Sequence, residues 1–167
     1  MNEKIGRVYF GILGFVTLIF GIADLMVAIG GSDFSWGILE ISSDMFRGGW
    51  GGLIVISAGF FYLSSLKNFL EIHQLSKALM ASILIWILAG TDIFVGITES
   101  IPGGEEGPWF NSLEGFLGTY APPYAPVIFL LPFSLIILFF LSKRRKAFPS
   151  HPPIDMMQGS LKKVDSN

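Results

Sequence analysis

Residues 8–30 read "VYFGILGFVTLIFGIADLMVAIG". A helix needs about 20 mostly apolar residues to cross the hydrocarbon of a bilayer, and this stretch is long enough. It exceeds the roughly 7–15 apolar residues of a signal-peptide core. It also holds an acid, Asp24, so we read it as a permanent span. Three more runs share its character. They are residues 49–66, "GWGGLIVISAGFFYLSSL", residues 78–97, and residues 123–142, "PYAPVIFLLPFSLIILFFLS". Four helical spans are therefore expected, forming an all-α integral membrane bundle over residues 1–146. A disordered cytoplasmic tail is expected over residues 147–167, because "PSHPP" and scattered polar residues cannot bury a core.

Composition agrees. Hydrophobic residues make up 51% of the chain, and charged residues only 14%, against roughly 25% in soluble domains. Mean hydropathy is +0.62. Charges cluster between the apolar runs, as they do in a membrane protein. The chain has no Cys, which removes disulfides, thiol nucleophiles and thiolate metal sites. The two histidines, His73 and His151, fall outside the spans. No metal site, haem or other cofactor is expected, nor any catalytic constellation; the chain does not read as an enzyme. No basic, aromatic-interleaved surface suggests nucleic acid.

Lys and Arg concentrate on the cytoplasmic side of membrane proteins. Lys4 and Arg7 precede the first span, Lys67 and Lys77 lie between the second and third, and "KRRK" at residues 143–146 closes the fourth. The other two loops are acidic: Asp33, Glu40 and Asp44 in one, and Glu99, Glu105, Glu106 and Glu114 in the other. Both termini are thus expected in the cytoplasm of a cell-membrane protein, with both acidic loops outside.

The chain also reads as a tandem repeat. Ile19, Asp24, Val27 and Ile29 fall on Ile87, Asp92, Val95 and Ile97 without a gap. Each span is followed by an outer segment with a Trp, Trp36 or Trp109, and by a second span ending in "FYLS" or "FFLS". This implies two span–loop–span units in parallel orientation. In the outer loops, Phe34, Ile38, Ile41 and Met45 share one helical face, and so do Trp109, Leu113, Phe116 and Tyr120. Both loops are expected to form short amphipathic interfacial helices, with Trp36 and Trp109 as anchors at the membrane surface. In plan, the chain resembles several small prokaryotic four-helix families, DoxX-like proteins among them, in architecture alone.

Asp24 and Asp92 are the residues that call for a role, because an ionised carboxylate inside hydrocarbon costs several kcal/mol. Both are expected to face the bundle. Asp24 shares a helical face with Gly21 and Ala28, and Asp92 shares one with Ala89 and Gly96, while Thr91 is expected to point elsewhere. Small residues let helices approach closely. Gly48 and Gly52 form a further small-residue pair at the start of the second span. Arg47 is the candidate counter-charge for either acid, and the second unit has no matching Arg. Pro132, inside the fourth span, is expected to kink it and to free the Ile128 carbonyl.

Two functional readings follow. In the first, the protein is an accessory or assembly subunit, or a scaffold, meeting the bilayer and other membrane subunits or itself through helix and outer-loop contacts. In the second, it is a small proton- or cation-coupled transporter or channel working through Asp24 and Asp92.

Overall fold

The computed structural model describes residues 3–67, 71–99 and 122–147. The Trp109 helix expected in the second outer loop lies outside these residues, as does the tail beyond 147. The described chain is mostly helical. In order come α1 (Glu3–Gly30), β1 (Phe34–Trp36), β2 (Leu39–Ile41), a π-helical segment (Met45–Trp50), α2 (Gly51–Ser64), α3 (Ile72–Glu99), α4 (Pro126–Ser134) and α5 (Ile136–Ala147). Three stretches are long and apolar enough to cross a membrane: Lys4–Gly30, Ile72–Thr98 and Pro126–Lys143. The second expected span is different. Its α-helix has only 14 residues, and the wider π turn precedes it. Gly48, Gly49, Gly51 and Gly52 crowd this start, and glycine costs about 1 kcal/mol per helical position relative to alanine.

The first outer loop is a correction. Residues 34–41 form an antiparallel hairpin, with Phe34 opposite Ile41 and Trp36 opposite Leu39, and not an amphipathic helix. Gly37, at φ +60°, takes the first position of a two-residue turn, where the twist of hairpin strands favours glycine. Asp33 closes the base. Its Oδ1 accepts hydrogen bonds from the Ser43 amide at 2.6 Å and the Ser43 hydroxyl at 2.7 Å. Asp44 caps the π segment by accepting from the amides of Phe46 and Arg47, both at 2.8 Å. Asp33 and Asp44 thus have local jobs. A second attachment joins the hairpin to the start of the fourth span: the Tyr124 amide donates to the Ile38 carbonyl and the Glu40 amide donates to the Tyr124 carbonyl.

α2 packs chiefly on α1 and on α3, and α3 also packs on α4. The α1–α2 crossing is a glycine seam. A Cβ at Gly21 would lie 2.7 Å from the Ile56 amide nitrogen, and one at Gly52 would lie 3.0 Å from the Gly21 carbonyl oxygen. Farther along, Gly14 meets Tyr62 and Gly59 meets Leu18 in the same way. Backbones this close gain dispersion contacts that larger residues would prevent.

Among the described residues, side-chain hydrogen bonds tie α2 to α3, α3 to α4 and α1 to α4. The hydroxyls of Tyr62 and Ser82, both fully buried, meet at 2.8 Å. The Trp86 indole N–H donates to Ser134 Oγ at 2.7 Å, and the Tyr9 hydroxyl donates to the Phe133 carbonyl at 2.9 Å. The last two sit where α4 stops. Pro132 lies inside α4, and the regular helix ends at Ser134, two residues beyond it. Side-chain partners of this kind let a proline interrupt a membrane helix. α5, a separate compact unit by itself, carries Phe139 edge-on to Phe140.

Candidate functional site

α1 and α3 bring their acids to the same end of the molecule, where the π segment and α4 begin. The first two elements supply Asp24 and Asp92 to one cavity of about 200 Å³. The π segment supplies Phe46 and Arg47. The hairpin side supplies Glu40 and Ser42, and the residues entering α4 supply Pro123, Ala125, Pro126 and Val127. Val55 and Leu88 line the apolar wall. The hairpin bonds to Tyr124 therefore position two parts of the cavity lining against each other.

The two acids are not equivalent. Arg47 reaches Asp92, with a guanidinium nitrogen 3.3 Å from Oδ1. The Arg47 side chain is 49% exposed and that of Asp92 is 16% exposed, so the pair sits at the rim side of the cavity. Asp24 is only 7% exposed. Among the described residues it has neither a hydrogen bond nor an ion pair. Buried polar groups in folded proteins are nearly always paired, and an unpaired one costs its full desolvation. Asp24 is an exception among the described residues, and it lines the cavity.

The small residues around the acids divide. Gly52 packs on Asp24 itself, where a Cβ would lie 3.0 Å from the Asp24 Cβ. Gly48 packs on Ala28, with a Cβ at 3.3 Å from the Ala28 methyl, and a Cβ there would collide with the Ser42 carbonyl. Gly21 completes this contact. Ala89 is fully buried. At Gly96 a Cβ would meet nothing within 4 Å among the described residues. It lies in the last turn of α3. Thr91 corrects an expectation, since it lines the same cavity as Asp92. Its hydroxyl donates to the Ile87 carbonyl at 2.8 Å. Trp36 stands on β1 and is 75% exposed.

Ser42 and Phe46 escaped the sequence reading, and Glu40 entered it only as an acid of the outer loop, because the spacing of residues 34–45 also fits a helical period. The alternation in "FSWGILEI" around a glycine was the available signal. The Tyr62–Ser82 and Trp86–Ser134 pairs also escaped. Polar groups in mid-span were their signal, but their partners lie in other elements.

Electrostatically, the site holds three carboxylates and one guanidinium. Among the described residues, no three His, Asp or Glu groups stand close enough to hold a metal ion. No protein-family model, curated protein or solved structure matches this chain.

Proposed function

We propose that this chain is a four-span protein of the cell membrane, with both termini cytoplasmic, that binds a proton or cation at Asp24 and couples that binding to transport. The observation that carries this reading is Asp24 itself, buried, without a hydrogen-bond or ion-pair partner among the described residues, and facing a cavity it shares with Asp92. An acid within a membrane span is costly to maintain and tends to mark an ion or proton path. The Arg47–Asp92 pair satisfies one acid and leaves the other for an exchangeable positive charge. Several features support the tandem plan. α1 and α3 each run 28 residues, each contributes one Asp to the cavity, and the Lys and Arg pattern places both helices in the same direction.

The experiment is flux through proteoliposomes containing a pH-sensitive dye. The wild-type protein is expected to move protons when an inward gradient of protons or a monovalent cation is imposed. Asp24→Asn and the double variant with Asp92→Asn are expected to abolish that movement while remaining folded by circular dichroism. Full flux in the double variant overturns the reading.

The accessory-subunit reading has its own observation. Phe34, Trp36 and Ile38 are apolar residues of the hairpin, all more than half exposed. A wild-type protein that moves no ion, but loses a co-purifying membrane partner on Trp36→Ala, would favour it.

A further inference from the structure

The cavity's shape and lining identify the kind of cation, an inference that rests on the binding role proposed for Asp24. A bare metal ion is a poor match. Hard cations take six or more oxygen ligands at short, defined distances. The described part of this cavity offers one unengaged buried carboxylate, with Asp92 already held by Arg47 at 3.3 Å. Nor do its acids gather into a metal-binding group. The volume is also too large for a bare ion. An engineered apolar cavity of about 150 Å³ accommodates benzene, and this one measures about 200 Å³.

Glu40, Ser42 and Thr91 add polar lining, and the rest of the described lining is mostly apolar. Val55, Leu88 and Val127 present aliphatic surface, and the Phe46 ring stands at the margin. A pocket with apolar walls and a few placed polar groups is the usual form of a small-molecule site. An aromatic ring beside it adds attraction for an organic cation. We infer that the cavity binds a primary ammonium group carrying a small aliphatic body, with its nitrogen on the buried, unpartnered Asp24 carboxylate and its carbons against Val55, Leu88 and Val127. Arg47 engages Asp92, and Glu40 lies on the exposed side of the cavity, so the buried Asp24 carboxylate takes one ammonium per cavity. Two sources carry this chemistry: a free small amine and the headgroup of an aminophospholipid.

The test is calorimetric titration of the full chain in maltoside micelles with methylammonium, ethylammonium and n-butylammonium chloride, against sodium and potassium chloride. Saturable binding of one alkylammonium ion per chain is expected, with sodium and potassium failing to compete at equal concentration. Asp24→Asn should weaken binding at least about 30-fold, as losing one partner of a buried charge pair does. Leu88→Phe, which narrows the apolar wall and leaves the carboxylate in place, should exclude n-butylammonium while retaining methylammonium. That size selection keeps the test decisive even where Asp24→Asn fails to fold. Adding phosphatidylethanolamine distinguishes the sources: competition assigns the lipid headgroup, and unchanged affinity assigns the free amine. Absence of alkylammonium binding, or equal competition by sodium, overturns the inference. Proton flux that persists in liposomes without any amine would then leave the proton-binding role of Asp24 standing.

Discussion

At the scale of single residues, position decides what a small or polar side chain does. Gly21 and Gly96 make the comparison. Each lies one helical turn from a membrane aspartate, yet a Cβ at Gly21 would lie 2.7 Å from the Ile56 amide and 2.9 Å from the Gly52 carbonyl, whereas one at Gly96 meets open space among the described residues. Gly21→Ala is expected to destabilise the protein by about 1–3 kcal/mol, the usual cost of overpacking. Gly96→Ala is expected to be neutral or to stabilise by up to about 1 kcal/mol through helix propensity. Thermal unfolding of the purified variants in detergent checks both signs. The same contrast separates Asp92, held by Arg47, from Asp24, which has no such partner. Two acids in similar helices therefore have different surroundings.

At the scale of elements, α1 shows how a membrane helix chooses its faces. Ile5, Ile12, Ile19 and Met26, with Val8, Phe15, Ile22 and Ile29, all point outward. None is small, so this stripe suits lipid chains better than a neighbouring helix. Gly14 and Gly21 lie on the opposite, packed side, which is where α2 fits. The hairpin obeys different physics. It is held by backbone bonds and by the Asp33 clamp. The two Ser43 hydrogen bonds hold the Asp33 carboxyl below its ordinary value of 3.8. The sign follows directly: a folded-state value lower than the unfolded one stabilises the hairpin above pH 4 or so, and that contribution disappears as pH falls through the folded value. At pH 6, Asp33→Ala should speed amide hydrogen exchange across residues 34–41. In acid below the folded value, the variant and the wild type should exchange alike. A difference that persists there would show that charge has no part in the clamp.

At the scale of the whole molecule, alternation of apolar runs and charged loops sets the topology. Because the chain has no Cys, single cysteines report on sidedness without any background. Ser35→Cys is expected to react with a membrane-impermeant maleimide from outside intact cells. Lys67→Cys is expected to react only after permeabilisation. The reverse pattern would invert the protein and put the cavity on the cytoplasmic side.

How much of this was legible beforehand depends on the range of the interactions concerned. The membrane character, the helices α1 and α3 and the apolar fourth stretch followed from the sequence alone, because spanning a bilayer requires an uninterrupted apolar run with all backbone bonds made internally. That the acids should turn inward was legible for the same energetic reason. What depended on tertiary structure was pairing. The residues 34–41 could satisfy a helical period or a hairpin, and attachment to Tyr124, over 80 residues away, accompanies the hairpin. Arg47 had two acids within its span of reach, and the π segment aimed it at Asp92. The seam of Gly14, Gly21, Gly52 and Gly59 has meaning only once two helices cross. Burial of apolar length is a local property of the chain, whereas partner choice among polar groups is decided by which elements come within about 3 Å of each other.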